Sequence, residues 1–334
     1  MSPPSARHDV IVIGASTGGV QALRQLLHDL PADLPATVLI VLHIGRMQTE
    51  LAAILDRAGP LPVAQAVSGD PLAPGRVHVA APDRHLLVHD GHLLLRRGPH
   101  ENMSRPAIDP LFRSAACSRD GRVIGVVLSG VLNDGTAGLR AIKRCGGLAV
   151  VQDPADAVAP DMPRSALRHV SVDHVVPIAA MGALLGRLAG TPVGRQPDPT
   201  PANICLEAAI AAQDLQDMGG QKQLGDLAPF SCPDCGGALW EVAGGSLLRY
   251  RCHVGHAYTA DAMLSAQADE VDGLLNRLLR THRERAELTR RMAERERAGQ
   301  NGALARELEA RARAYDENAA LMEKLLSERN GSTS

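Results

Sequence analysis

Short, wholly apolar runs alternate with amphipathic stretches along the first 190 residues. Asp9-Val-Ile-Val-Ile13, Ala36-Thr-Val-Leu-Ile-Val-Leu42 and Arg122-Val-Ile-Gly-Val-Val-Leu-Ser129 are rich in β-branched residues and lack a polar position at every second place. Runs of this kind suit strands buried on both faces, as in a parallel sheet covered by helices on each side. The first breaks at Gly14-Ala-Ser-Thr-Gly-Gly19 and resumes as Val20-Gln-Ala-Leu23, while the third passes into Gly130-Val-Leu-Asn-Asp-Gly135. A strand that breaks at glycine and re-enters a helix leaves its turn at the carboxyl edge of the sheet, with helix-start amides facing outward. The expected fold class is α/β, a doubly wound, mainly parallel sheet.

The pattern changes after residue 190. Thr191-Pro-Val-Gly-Arg-Gln-Pro-Asp-Pro-Thr-Pro201 is proline-rich and without apolar periodicity, as a linker is. A helix is expected from Asn203, its candidate cap, to Met218, with Ile204, Leu206, Ala208, Ile210, Ala211 and Leu215 as apolar surface. The last 70 residues read as two helices. Ala262 to Glu296 carries Met263, Val271, Leu274, Leu275, Leu278, Leu279, Leu288 and Met292, and after Gly299 and Gly302 a stripe follows through Leu304, Leu308, Ala312, Tyr315, Ala319, Met322 and Leu326. Alternating steps of four and three make one narrow seam, which predicts an antiparallel hairpin packed on itself, on a helical partner or on a second copy. The expected organisation is residues 1–190 as the sheet domain, 191–202 as linker, 203–262 as a helix with a small cysteine-bearing module, and 263–330 as the hairpin.

The turns carry the candidate chemistry. Ser16 is the strong nucleophile candidate of the first turn, and a helix start suits a developing oxyanion as well as a phosphate. A dinucleotide site wants G-x-G-x-x-G and an acid after the second strand. Here the spacing is G-x-x-x-G-G, and the second strand ends in His43, which takes a proton better than it holds a ribose. Asp134 falls in the third turn. If the three strands are parallel, Ser16, His43 and Asp134 share one sheet edge as nucleophile, general base and orienting carboxylate. Asp109 and Asp153 are rival acids, and Thr17 is either an active-site hydrogen-bond donor or a helix cap.

Several ordered segments resemble the CheB-type chemotaxis protein-glutamate methylesterases. They are Gly14 to Gly19, the strand ending in His43, Ala73 to Pro82 with His85-Leu86, Arg105 to Ser114, Ser129 to Gly135, and Gln152-Asp-Pro154 to Met162-Pro163. The resemblance covers most of the first 190 residues. It implies hydrolysis of glutamate methyl esters on methyl-accepting chemoreceptors, with glutamine deamidation as a companion activity, no cofactor for catalysis, and Val131 supplying an oxyanion-hole amide. The departures are Val131-Leu132 for the family's Met-Gly, Leu42-His43-Ile44 for Gln-His-Met, and Ser104 for a histidine before Arg-Pro. Eight residues precede the first strand, where family members commonly carry a phosphorylatable receiver domain; regulation is therefore expected from the other half or from a partner. The competing class is a non-catalytic scaffold that binds receptor and signalling partners.

Cys232-Pro-Asp-Cys-Gly-Gly237 and, with sixteen residues between Cys235 and Cys252, Cys252-His-Val-Gly-His256 have zinc-ribbon spacing. The expected ligands are Cys232, Cys235, Cys252 and His256, closing a structural site, with Trp240 and Tyr250 beside it; three buried thiols near an unrelated histidine are the plainer alternative. His78, His85, His89, His92 and His100 gather around an expected hairpin from Val77 to Arg96 and are read as solvent-facing.

Composition adds exclusions. Lys plus Arg number 35 against 37 for Asp plus Glu, so the net charge of −2 offers nothing to a polyanion, and the arginines of the last helices are interspersed with acids. No run approaches the ~20 apolar residues of a membrane span, and the polar start is no signal peptide. Six cysteines, three of them in one ligand array, fit a reducing cytoplasmic setting.

Overall fold

The computed structural model describes residues 6–43, 50–194, 201–213, 225–243 and 246–331. They fall into two compact units, residues 1–263 and 264–334.

The first unit is built on a seven-stranded parallel sheet. In chain order its strands are β1 (Val10–Ala15), β2 (Thr37–Leu42), β3 (Val63–Gln65), β4 (Val77–Val79), β7 (Val123–Val127), β8 (Leu148–Gln152) and β9 (His174–Val176). Their spatial order is β3-β4-β2-β1-β7-β8-β9. β1 lies at the centre, pairing Val10 with Thr37 of β2 on one side and with Val123 of β7 on the other.

The missing polar alternation now has its cause, because both faces of the sheet are covered. Val10 and Val12 point into a core made with α3 (Ile108–Arg119), α4 (Thr136–Arg144) and α5 (Asp161–His169). Ile11 and Ile13 point into a second core with α1 (Gly19–His28), α2 (Leu51–Asp56) and α6 (Ile178–Leu188). Successive strand side chains face opposite ways, so a strand between two cores must be apolar throughout. The chain leaves β1 toward β2 and leaves β7 toward β8, in opposite directions. The carboxyl ends of β1 and β7 therefore flank a topological switch point, where such sheets open a crevice.

Smaller elements depart from the sequence expectations. Val77–Val79 is a sheet strand, and the hairpin is β5 (His85–His89) with β6 (His92–Arg96). The histidines around it are not all solvent-facing: His78 and His85 are buried, and His85 is satisfied by the Pro99 carbonyl at Nε2 and the Ala107 N–H at Nδ1. α7 spans Ala202–Ala212, so Asn203 lies inside the helix and Pro201 holds the cap position without a side-chain bond. Proline's fixed φ suits a helix entry without help from a capping side chain. Residues 214–218 of the expected longer helix lie outside the described residues. Cys117 of α3 and Cys205 of α7 are joined as a disulfide, a pairing that the expectation of a reducing setting did not include.

Four antiparallel strands complete this unit: β10 (Leu227–Ser231), β11 (Ala238–Glu241), β12 (Arg249–Cys252) and β13 (Ala257–Thr259). A buried ionic cluster fastens this ribbon to α3 and α7. Glu207 of α7 receives Arg249 at 2.8 and 2.9 Å and Arg251 at 3.2 Å. Glu101 receives Arg251 at 2.9 Å and also pairs with Arg113 of α3. The ribbon thus belongs to the same compact unit as the sheet.

The second unit is a helical hairpin made by α8 (Ala260–Ala298), which starts within the first unit, and α9 (Gly302–Gly331). Arg285 donates to Tyr315 at 2.8 Å, and Arg290 and Arg283 pair with Asp316 and Glu323, an antiparallel register. In α9 the seam follows the expected stripe, with Leu308, Ala312 and Ala319 buried and Tyr315, Met322 and Leu326 half-buried, whereas in α8 it departs from the expected larger residues. Ala286, Ala293, Ala305, Leu308, Ala312 and Ala319 are buried, whereas Val271, Leu274, Leu278, Leu288, Met292 and Leu304 are exposed. Alanines at steps of seven, with Leu308, form the buried seam, and Val271, Leu274, Leu278, Leu288 and Met292 of α8 are left outside it. No helix among the described residues is long and apolar enough to cross a membrane.

Candidate active site

The turn after β1 is shaped by close packing. A Cβ on Gly14 would meet Ile108 Cγ2 at 2.3 Å, and Gly18 takes a left-handed φ of 78°. The Ser16 N–H donates to the Ser129 carbonyl at 2.9 Å, and the Gly19 N–H to the Ser16 carbonyl at 2.8 Å. The backbone amide of Ser16 is therefore committed, and its half-buried hydroxyl projects from the carboxyl end of β1.

His43 follows β2, and its N–H donates to the Ala15 carbonyl at 3.1 Å, which carries the β1–β2 pairing one residue further. That register sets the imidazole beside Ser16. Nδ1 lies 3.2 Å from Ser16 Oγ and Nε2 lies 2.8 Å from Asp134 Oδ2. An ionised carboxylate only accepts, so the ring proton sits on Nε2 and the Nδ1 lone pair faces the serine.

Asp134, in the turn between β7 and α4, collects donors on both oxygens. Oδ2 accepts His43 Nε2 and the Ile108 N–H at 2.7 Å. Oδ1 accepts Asn102 Nδ2 at 2.9 Å, the Gly135 N–H at 2.9 Å and the Asp109 N–H at 3.2 Å. Burial pushes this carboxyl up, but the hydrogen bond and charge of His43 and the donors from Ile108 and Asn102 outweigh it and hold the group below its ordinary range. Asp109 behaves oppositely. Burial first, and then the negative charge of Asp134, push its carboxyl up to about 7, against the opposing pull of Arg113. Two buried carboxylates thus stand side by side, the one facing the histidine ionised and the other inclined to hold a proton.

The other anticipated residues separate. Thr17 is exposed, and Gly18 holds the N-cap position of α1 with no side-chain cap bond, so the capping alternative for Thr17 is overturned. Its carbonyl accepts Ser129 Oγ at 2.7 Å. Val131 is 45 % exposed, next to Gly130, where an added Cβ would stand 2.8 Å from the Ser16 Cβ. The backbone at residue 130 therefore passes close to Ser16. Leu132 adopts a φ of 60°, keeping the left-handed backbone that glycine takes without strain. Of the rival acids, Asp109 is the second residue of α3 and touches the Asp134 network without reaching His43. Asp153 caps its own loop through the Ala155 N–H. Asn102, which joins Asp109 and Asp134, carried no signal in the sequence: nothing in Glu101-Asn-Met103 distinguishes it from a loop asparagine.

In the ribbon, one ligand atom from each of Cys232, Cys235, Cys252 and His256 lies within 4.8 Å of the others. Cys235 Sγ and Cys252 Sγ are 3.7 Å apart, and His256 Nδ1 lies 3.4 Å from Cys252 Sγ and 3.7 Å from Cys232 Sγ. Tetrahedral zinc with ~2.3 Å bonds to sulfur needs sulfurs ~3.8 Å apart, so the donors fit that ion. Asp234 stands behind His256, 4.0 Å from Nε2, and accepts the Tyr258 hydroxyl. Tyr258 is thus the aromatic ring nearest this cluster by its hydrogen bonds, while Tyr250 packs edge-on against Phe230.

Comparison with known proteins extends the geometry. The CheB methylesterase family matches residues 11–185. A Leptospira interrogans relative is 40 % identical over 183 residues, 54 % of this chain and 95 % of that protein. Protein-glutamate methylesterase/protein-glutamine glutaminase 2 of Anaeromyxobacter dehalogenans is 42 % identical over 175 residues, 52 % of this chain and 51 % of that protein. The chain thus spans about half the length of this Anaeromyxobacter relative. The crystal structure of the Thermotoga maritima CheB methylesterase catalytic domain superposes with a TM-score of 0.52 at 32 % identity, covering 54 % of this chain and 98 % of that one. The matched stretch holds the seven-stranded sheet and all three residues gathered at its carboxyl edge, and the chain belongs to the CheB methylesterase family of carboxylic ester hydrolases.

Proposed function

We propose that this chain hydrolyses glutamate methyl esters on methyl-accepting, chemoreceptor-like proteins, and deamidates glutamines at the same kind of position. The observation that carries the reading is the Ser16–His43–Asp134 relay, with 3.2 and 2.8 Å contacts in a row at a sheet switch point. Ser16 Oγ attacks the ester carbonyl as His43 Nδ1 takes its proton, and Asp134 steadies the imidazolium that results. The tetrahedral oxyanion is held by the Val131 amide and the amides of Thr17 and Gly18 at the helix start, since the Ser16 and Gly19 amides are already bonded to the Ser129 and Ser16 carbonyls. Collapse expels methanol, which takes its proton from His43, and leaves a glutamyl ester on Ser16. Water deprotonated by His43 then attacks that ester, freeing the glutamate carboxylate and returning the proton to Ser16. No cofactor enters these steps.

The substrate reading is supported by the relatives, which are named protein-glutamate methylesterase/protein-glutamine glutaminase, and by an open site. Val131 and Thr17 are exposed at its rim, so a side chain presented on a protein surface can enter. A serine-directed phosphonate tests the nucleophile: the expected result is one adduct on Ser16 with loss of methanol release from methylated receptor. Labelling elsewhere, or none, points to a scaffold instead.

Cys232, Cys235, Cys252 and His256 are proposed to hold a structural zinc, which would cross-link two turns of a small ribbon and supply folding energy rather than an open site for water. Native mass spectrometry should find one zinc per chain. Cys252→Ser should release it and lower the melting temperature of the ribbon, read through Trp240, the chain's single tryptophan. Retention of the metal in that variant rules out the ligand set.

A further inference from the structure

The ribbon reaches the candidate active site at one point. Residues 100–102 run alongside β13: the Ala257 N–H donates to the His100 carbonyl at 3.2 Å, and the Asn102 N–H donates to the Ala257 carbonyl at 2.8 Å. Asn102 is buried, with a left-handed φ of 49°, a conformation in which asparagine is one of the few tolerated side chains. Its carboxamide oxygen accepts the Thr259 N–H at 3.0 Å. Its amino group donates to Asp134 Oδ1 at 2.9 Å and to Asp109 Oδ2 at 3.0 Å. Both N–H bonds and the oxygen are engaged, so the plane of the amide has one orientation.

The other flank of Asp134 is held by the same segment. Thr259 Oγ1 donates to Asn133 Oδ1 at 2.5 Å and accepts the Ala262 N–H at 3.2 Å, at the start of α8. Asn133 Nδ2 donates to Asp261 at 2.8 Å. Residues 259–262 therefore touch groups on both sides of the carboxylate that faces His43.

We propose that Asn102 is a positioning residue for Asp134, and that the ribbon, by gripping Asn102 through Ala257 and Thr259, makes the alignment of the relay depend on its own fold. The inference rests on reading Ser16, His43 and Asp134 as an esterase relay. Of the five donors to Asp134, four come from α3, the turn itself and His43, elements of the sheet domain. Asn102 is the donor whose anchorage lies in the ribbon. The charged and titratable groups around Asp134 and Asp109 are His43, His85, Arg113, 4.0 Å from Asp109, and Arg249 of the ribbon. Thr259 and Ala257 bring no charge, so the grip on Asn102 acts by geometry, beside the charge that Arg249 of the ribbon sets against Asp109. Asn102 also bridges the two carboxylates, and its removal leaves them facing each other without a shared donor.

Asn102→Gly in the full chain is the test, because glycine keeps the left-handed backbone and removes only the carboxamide. Loss of a hydrogen bond to a charged group predicts a fall in kcat of roughly 10- to 100-fold with KM unchanged. Fewer donors on Asp134 favour its protonated form, so the acid limb of the kcat profile should move to higher pH. The low-field proton resonance of the His43 Nε2–H bonded to Asp134 should shift or broaden. Chelation of metal from the wild-type chain should move that resonance in the same sense, with Trp240 fluorescence reporting that the ribbon has responded. A folded Asn102→Gly with wild-type pH profile and resonance overturns the proposal. So does a chelated wild-type chain whose Trp240 signal changes while the His43 proton stays put, an arm that stands even where the glycine variant does not fold. A wild-type chain that releases no methanol yet shows the expected shifts removes the esterase reading alone.

Discussion

Asp134→Asn is expected to lower kcat for ester hydrolysis by about 10⁴-fold, the loss seen when a relay carboxylate is replaced by its amide. The reason lies in how the carboxylate is satisfied. The Oδ1 end faces three donors that cannot change sense, from Asn102, Asp109 and Gly135, whereas the Oδ2 end faces the Ile108 N–H and one that can, His43 Nε2. An asparagine therefore turns its oxygen toward the three fixed donors and its amino group toward His43. The imidazole must then accept at Nε2 and carry its proton on Nδ1, where it donates to Ser16 and can no longer take the hydroxyl proton. Steady-state methanol release with a methylated receptor fragment measures the loss, and circular dichroism checks the fold. A variant within tenfold of wild type would mean that His43 is not the base.

Glu207→Gln is expected to destabilise the first unit by about 3–5 kcal/mol, the usual cost of removing one partner from a buried ion pair. Glu207 is fully enclosed and faces Arg249 in a bidentate pair, with Arg251 at 3.2 Å and Arg113 at 3.7 Å. The amide keeps the shape but leaves buried guanidinium charge without its counter-charge. Burial alone would raise the Glu207 carboxyl, but the three arginines hold it far below its ordinary value of 4.5. A depressed folded-state pKa contributes stability that is present above 4.5 and is lost as pH falls toward the folded value. Urea unfolding followed through Trp240 should therefore show a lower midpoint for the variant at pH 7 and a weaker loss of stability on acidification than in wild type. Equal midpoints would show that the cluster carries no net stabilisation.

The two predictions address separate properties of one interface. The ionic cluster of Glu101, Glu207, Arg113, Arg249 and Arg251 fastens the ribbon to the sheet, and Asn102, next to Glu101 in the chain, carries that attachment from Thr259 to Asp134. Charge at this interface is solvent-excluded, so each partner is costly to remove. The hydrogen-bonded amide beside it adds direction rather than charge.

Much of the sheet was legible from local pattern. Strands buried on both faces must be apolar at every position, so Val10–Ala15, Thr37–Leu42 and Val123–Val127 declared themselves without partners in view. Turn chemistry is local too: glycines at 14, 18, 130 and 135 mark where the chain must pass close to a neighbour or take a left-handed backbone. Ser16, His43 and Asp134 were therefore recognisable as residues at strand ends, and the cysteine knuckles as a donor set.

What tertiary structure alone decided is every feature made between segments distant along the chain. The α9 stripe through Leu308, Ala312 and Ala319 was legible, but in α8 Leu274, Leu278 and Leu288 stay exposed while Ala286 and Ala293 are buried, because which face of α8 is covered depends on the facing helix. The engagement of His85, the joining of Cys117 to Cys205 and the burial of Glu207 with three arginines leave no mark in local periodicity. Asn102 is the clearest case. Its identity as a loop asparagine is local, but its four hydrogen bonds run to Ala257, Thr259, Asp134 and Asp109, and only folding brings those partners within reach. Hydrophobic period and turn residues act over a few positions and so are written along the chain, whereas the direction of a hydrogen bond is set by whatever the rest of the fold places at its other end.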